Sequence, residues 1–344
     1  MTGKAAALQG GLAALGLLAA NFTWQREPER APGEVNVVDV TKNDLRAVHY
    51  EDDKVAYDLT RAKENGEDAV WIHFVDKYVP KPDPKNPAPT PPAPLTPPRD
   101  LRGTEAALKA LDQFAPLRSP RAFGVLDAQK VKELGLEGST KKLDVTAKGE
   151  TRHFTIGQPQ GTPGGESFMR DAADGRVYVM PRGLLGDLQA AQARLIDRRL
   201  HTFTLADFDR VTVTAGGKTR TIVHLNRERN GAAQFAPADK PDKPDQTMNT
   251  WHDMVWRTFP MDILGKGEMP KAGAPKVVAR VEYFDGKKSI GWEELGKMEG
   301  GEPGQSGGGA PEIMARSEHT PSWVTLHSTA QIITDTEKMA SGSN

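Results

Sequence analysis

A chain of 344 residues, 37% hydrophobic and 26% charged, is long enough for two domains and has the makeup of folded protein. Its 45 Lys and Arg against 46 Asp and Glu give a net charge of -1, and no basic block interleaves with aromatics, so no nucleic-acid partner is expected. With no Cys, disulfides, thiolate catalysis, Cys-ligated metal and lipidation on an N-terminal cysteine are excluded, and the compartment is left open.

Residues 5–25 carry no charge, and Ala5-Ala6-Ala7-Leu8, Leu12-Ala13-Ala14-Leu15 and Leu17-Leu18-Ala19-Ala20 lead to Phe22 and Trp24. That length can cross a bilayer core of about 30 Å, with the aromatics at an interfacial belt. The one signal-peptidase-like site, Leu18-Ala19-Ala20, has a large residue where a small one is wanted. Residues 1–25 are therefore read as a single-pass anchor, inserted through 5–24, with the body outside the cytoplasmic (inner) membrane. A cleaved signal peptide and a buried Ala-rich helix are the other readings. Residues 26–34, with Pro28, Pro32 and Gly33, read as a tether.

The first folded residues are expected at 35–40. A turn at Thr41-Lys42-Asn43-Asp44-Leu45 precedes a strand at Ala47-Val48-His49-Tyr50, and Asp52-Asp53-Lys54 turns the chain into a strand at 55–59. Val70-Trp71-Ile72-His73-Phe74-Val75 has apolar residues on both faces, as a central strand would. Ten Pro then fall in the nineteen residues 80–98, a spacer that cannot donate ladder hydrogen bonds and could extend roughly 60 Å.

Thr104 can cap a helix with Ala107, Leu108, Leu111 and Phe114 on one face, and Asp127 a short one ending at Leu134-Gly135-Leu136 with Gly135 left-handed. Leu143 and Val145, the turn Lys148-Gly149, and Phe154 and Ile156 make a hairpin. Phe168-Met169-Arg170, the turn Asp174-Gly175 and Val177-Tyr178-Val179-Met180 make a second, stopped by Pro181. Leu184, Leu188, Ala191 and Leu195 then fall at helical spacing.

The order repeats. Thr204-Leu205-Ala206-Asp207-Phe208 with Val211 and Val213 mirrors the turn at Thr41 at an offset of 163, and Gly216-Gly217-Lys218 with Thr221-Ile222-Val223 mirrors 52–59. A shorter spacer with Pro237, Pro241 and Pro244 follows, then a helix lined by Trp251, Met254, Val255 and Phe259. Residues 277–339 repeat the closing hairpins and helix, with Trp323 matched to Tyr178 at an offset of 145, which makes this copy 18 residues shorter (163 minus 145). The fold class is thus α+β: an N-terminal transmembrane helix, then two tandem sheet-rich repeats at 35–200 (with spacer 80–98) and 201–340 (with a Gly-rich loop at 299–310).

This order of meander, helix, Leu126-Asp127 to Lys132-Glu133-Leu134-Gly135-Leu136, Phe154-Thr155-Ile156-Gly157, Met169-Arg170, Val177-Tyr178-Val179 and Asp197-Arg198-Arg199-Leu200 resembles bacterial domain-of-unknown-function family 4340. The resemblance covers roughly 35–339 and rests on a pattern of positions. It implies a membrane-anchored extracytoplasmic protein linked with ABC-type transport systems, including gliding-motility ones, and it brings no catalytic residues. The long Pro-rich spacer departs from that family's usual pattern.

Motifs with chemistry are few. Gly304-Gln305-Ser306-Gly307-Gly308 matches the nucleophile elbow but is flanked by Gly and Pro rather than by a strand and a helix, so it reads as loop. Gly216-Gly217-Lys218-Thr219 lacks the leading Gly of a phosphate loop and reads as a hairpin turn. Of eight His, none forms H-x-H or H-E-x-x-H. His49, His73, His153 and His224 read as half-buried strand residues, and His319 beside Glu318 is the hardest to dismiss. Arg194, Asp197, Arg198 and Arg199 cluster between the repeats, as an interdomain salt bridge or a docking patch for a protein partner. No catalytic, metal or cofactor residue is expected.

The reading is a non-enzymatic accessory or scaffold protein of a membrane assembly, of the ABC-transporter-associated kind. The alternatives are an extracytoplasmic cell-wall or polysaccharide hydrolase, which needs paired carboxylates in a cleft, and a free solute- or glycan-binding module using Trp71, Trp292 or Trp323.

Overall fold

The computed structural model describes residues 33–64, 66–77, 97–159, 165–228, 232–298, 312–326 and 330–342. The anchor 1–25, most of the tether, spacer residues 80–96, the loop 299–310 with its Gly304-Gln305-Ser306-Gly307-Gly308 motif, and His327 lie outside them. No helix of the described residues is long and apolar enough to cross a membrane.

The first repeat runs β1 (Val35–Val38), β2 (Leu45–Glu51), β3 (Val55–Glu64), β4 (Glu67–Asp76), β5 (Arg99–Arg102), α1 (Glu105–Asp112), β6 (Leu117–Ser119), β7 (Ala122–Val125) and α2 (Ala128–Glu133). It closes with β8 (Lys142–Ala147), β9 (Glu150–Gly157), β10 (Phe168–Asp171), β11 (Arg176–Val179), α3 (Leu184–Gln189) and α4 (Ala191–Arg194). The second runs β12 (Arg210–Ala215), β13 (Lys218–His224), β14 (Phe235–Pro237), α5 (Gln246–Trp256) and β15 (Pro260–Ile263). After these come β16 (Lys276–Asp285), β17 (Lys288–Lys297), β18 (Ile313–Ser317), β19 (Val324–Leu326) and α6 (Gln331–Ser341).

The first sheet has the order β5-β4-β3-β2-β8-β9-β10-β11-β7 and the second β14-β13-β12-β16-β17-β18-β19-β15, while β1 pairs with β6 apart. Without β5, the two orders coincide strand for strand. The same local chemistry starts each copy: Asp44 Oδ2 accepts from the Thr41 amide and hydroxyl, and Asp207 Oδ2 from those of Thr204. One face of each sheet is apolar by alternation. Val48, Tyr50, Tyr57, Leu59, Ile72 and Leu143 are buried in the first, and Val211, Val213, Ile222 and Val281 in the second. Ala107 and Leu111 of α1 belong to the same apolar cluster as the first set, and Met248 and Val255 of α5 with Ile332 and Met339 of α6 to that of the second. That cluster is continuous through both repeats.

Thr104 and Asp127 cap α1 and α2 as expected, and Gly135 is left-handed with Leu136 buried behind it. Four expectations change. β4 buries only Val70, Ile72 and Phe74, while His73 is exposed, because the outer face of the first sheet is open and its strands alternate. The helix through Leu184 and Leu195 breaks at Ala190 into α3 and α4. α5 stops at Trp256, so Phe259 leaves the helix and is 58% exposed. Ladder pairing sets Tyr178 against Val324, through Met169↔Tyr178 and Ala315↔Val324, so the late offset is 146 rather than 145. Strands β5, β6, β7, β14 and β15 carry no pattern strong enough to foresee, being three or four residues long.

Candidate functional site

Six side chains of alternating type cross the outer face of the first sheet on six adjacent strands: His153 on β9, Asp144 on β8, His49 on β2, Asp58 on β3, His73 on β4 and Asp100 on β5. Every neighbouring pair in this row is a direct cross-strand partner. The imidazole Nδ1 atoms of His153, His49 and His73 lie 2.9, 2.8 and 2.7 Å from Oδ1 of Asp144, Asp58 and Asp100. An imidazole that donates from Nδ1 keeps Nε2 as an acceptor facing outward. At about 4.8 Å per strand the row is about 24 Å long.

Small residues flank it on one side. Thr151, Thr146, Ala47 and Thr60 form the adjoining row, which ends in Trp71 and Arg102. On the other side Lys77 and Lys142 hold the Glu51 carboxyl down at about 2. His49 is pushed up by its hydrogen bond to Asp58, against its partial burial. The corresponding row of the second sheet is Trp292, Glu282, Thr212 and Thr221, with no His. The row is therefore not imposed by the fold.

A second polar cluster, built on the buried side chains of His201 and Glu293, lies in the second repeat. His201 Nδ1 is 3.1 Å from Glu318 Oε1, and Nε2 is 3.7 Å from Glu293 Oε2, an ion-pair distance beyond hydrogen-bond reach. Trp292 N–H donates to Glu318 Oε2 at 2.7 Å. Around them pack Phe203, Phe208, Trp256 and Tyr283, with His201 stacked on Trp256 at 5.7 Å. The Tyr283 hydroxyl, His252 Nε2, His201 Nε2 and both Glu293 oxygens are buried without a hydrogen-bond partner.

Burial alone would lower the His201 pKa, but Glu293 and Glu318 outweigh it and raise it to about 9. Burial pushes Glu293 up despite His201, and burial drives His252 down to about 3.

The first repeat has apolar residues at these places. Val48↔Val145 and Val211↔Tyr283 match Tyr283 to Val145, while Leu143↔Phe154 and Val281↔Glu293 match Glu293 to Phe154. The offset of 163 matches His201 to Val38. Gly291 stands where the first repeat has Arg152; a Cβ there would sit 2.3 Å from Phe203 and 2.8 Å from Glu318, so the glycine makes room for the cluster.

The four clustered charges between the repeats separate. Asp197 is buried, with Oδ2 2.9 Å from His319 Nε2 and 2.7 Å from Arg199 Nη2. Burial alone would raise the Asp197 carboxyl, but His319 and Arg199 hold it well below the usual carboxylate range. Arg198 Nη1 reaches Met261 O at 3.2 Å, across the seam. Arg194 pairs with Asp187 at 2.6 Å and is more than half exposed.

Trp323 is buried, and Trp71 and Trp292 each carry a cation over the ring, Lys266 and Arg280, both at 4.6 Å. A pocket of about 400 Å³ opens between α5 and α6, lined by Arg220, Thr247, Trp251, Met254, Lys338 and Met339. The counterpart of Arg220 in the first repeat is Tyr57, buried with its hydroxyl donating to Leu188 O at 2.7 Å.

Sequence reasoning placed His49, His73 and His153 on strands but not in one row. Their polar positions in alternating strands were visible, whereas the pairing that aligns them was not. It expected these three to be half-buried, but His73 and His153 are exposed. Among the described residues no three His, Asp or Glu side chains converge as a metal site would require.

Residues 96–259 match the model of the family described as Domain of unknown function (DUF4340), the family whose pattern the sequence resembles. The match begins just before β5 and ends just past α5, so it straddles the seam between the repeats. No curated protein and no solved structure matches the chain.

Proposed function

We propose that the chain is a non-catalytic, membrane-anchored extracytoplasmic accessory or scaffold protein of a membrane assembly, of the ABC-type transport class that its family resemblance implies. The row from His153 to Asp100 carries this reading. Catalysis needs groups that converge on a reacting atom. Here three His–Asp pairs are spread along a line of about 24 Å on an open sheet face, flanked by Thr and Ala. Such a surface suits an extended partner laid across the strands. The hydrolase alternative draws on Asp144 and Asp58, two strands and so about 10 Å apart, but it needs a cleft around them. The anchor reading rests on the uncharged residues 5–25.

The test is crosslinking in intact membranes from a photoreactive residue at Thr60, which adjoins the row. A crosslink to a transport-complex subunit is expected, lost when Asp58, Asp100 and Asp144 become Asn. Retention of the same crosslink in that variant would remove the row from the function. Release of sugars from purified cell wall by the wild-type protein would favour the hydrolase instead. The anchor is tested separately: the protein should stay in the membrane pellet after carbonate, and a soluble form starting at Asn21 would show a cleaved signal.

A further inference from the structure

The seam between the repeats is built on the edge strands of the two sheets. β5, the edge of the first sheet, lies against residues 262–266, which continue from β15, the edge of the second. Lys266 N–H donates to Asp100 O at 2.8 Å, and Arg99 Nη1 reaches Asp262 Oδ1 at 2.7 Å and Ile263 O at 3.1 Å. A Cβ on Gly265 would lie 3.0 Å from Asp100 N and 3.2 Å from Arg99 Cα, so the glycine is what lets β5 approach so closely.

Because the two sheets share one order, β7 is the counterpart of β15. The pairs Tyr178↔Ala122 and Val324↔Ile263 match Ala122 to Ile263. Counting from there, Arg121 stands for Asp262; Phe123 is an extra residue at a bulge, so Gly124, opposite Val177, stands for Leu264 beside Trp323. In the second repeat this stretch is covered, and Leu264 is buried. In the first it is open: no described strand pairs with the outer edge of β7, a Cβ on Gly124 would meet nothing within 4 Å, and Phe123 and Val125 are 39% and 68% exposed. An exposed edge with apolar side chains is a template for strand addition.

We propose that the β7 edge at Arg121-Ala122-Phe123-Gly124-Val125 docks an extended acidic segment of a partner protein, on the edge whose counterpart in the second repeat, residues 262–266, meets β5. The charge of the occupant follows from the exchange at one position. In the seam the carboxylate of Asp262 is met by Arg99; in the open copy a guanidinium takes that place, so the incoming strand carries Asp or Glu there. The Arg121 guanidinium lies over the Phe123 ring at 4.5 Å and 3.3 Å from Glu166, with both charged side chains more than half exposed, so it is available to a stronger partner. Phe123 and Val125 supply the apolar contact. This inference rests on the seam and does not depend on the histidine–aspartate row.

The probes are two synthetic peptides of residues 97–104, one unchanged and one with Arg99→Glu, each fluorescently labelled and titrated into the full chain by anisotropy. The Glu peptide is expected to bind at least about tenfold tighter than the Arg peptide, as like-charge contact would cost the latter. Arg121→Glu should invert that order, and Phe123→Ser should weaken both, with thermal melting showing that each variant is folded. Equal binding of both peptides, no binding at millimolar peptide, or an unchanged preference in Arg121→Glu overturns the proposal. Concentration-dependent self-association of the wild type, abolished by Phe123→Ser, would make a second copy the occupant and also overturn it.

Discussion

Phe154 and Glu293 occupy one position of the shared fold, opposite Leu143 on β8 and Val281 on β16. Both are buried, but one is a hydrocarbon and the other a carboxylate whose oxygens find no hydrogen bond. The second repeat thus carries an ionisable group where its twin shows that an apolar residue suffices.

That comparison predicts a non-additive pair of substitutions. Glu293→Leu alone leaves His201 with only Glu318 and should destabilise the protein, as removing one partner of a buried pair does. His201→Val together with Glu293→Leu recreates the first repeat's chemistry and should be neutral or stabilising by about 1–4 kcal/mol. Urea unfolding midpoints decide it; a double variant weaker than either single would refute the equivalence.

Stability should be greatest at mildly acidic pH, roughly between the unfolded pKa values of Glu and His. The folded pKa of His201 is raised to about 9, so its contribution is complete below the unfolded value near 6.5 and is lost as pH rises through about 9. Glu293, also raised, works in the same sense: its contribution is present below its unfolded pKa and lost as pH rises through the folded one. For His252, lowered to about 3, the sense reverses, and stability present above about 6.5 is lost as pH falls towards 3. Each limb is worth on the order of a few kcal/mol at most. Denaturant midpoints from pH 4 to 10 should form a dome. The alkaline limb should flatten in the His201→Val/Glu293→Leu double variant and the acid limb in His252→Phe; a profile the same in all three proteins would contradict this.

At the seam, Asp197→Ala should cost about 3–5 kcal/mol, because it leaves His319 without its buried charge partner. Arg194→Ala, on an exposed side chain, should stay within about 0.5 kcal/mol. Thermal melting of the two variants checks this, and equal losses would mean that Asp197 is not the anchor of the seam.

Lys148 and Gly149 both have positive φ, 52° and 85°, in the turn joining β8 to β9. Gly149→Val, with its branched side chain in that conformation, should cost about 1 kcal/mol or more although nothing lies within 4 Å of a Cβ there. An unchanged midpoint would show that the turn can adopt another geometry.

The amino-acid sequence by itself determined the repeated order of elements, the caps at Thr104 and Asp127, the left-handed Gly135 and the turns at Gly149 and Gly175. These depend on residues within a few positions of one another, where alternation and backbone preference act alone. It also marked Asp197 and His319, in separate parts of the chain, without pairing them. Only the tertiary structure decided that His49, Asp58, His73, Asp100, Asp144 and His153 share one row, that His201 and Glu293 are buried together, and that β5 covers the edge at Gly265 while the edge at Gly124 stays open. Those facts rest on register and on the docking of distant strands, and a slip of one residue in any strand would send its side chains to the opposite face.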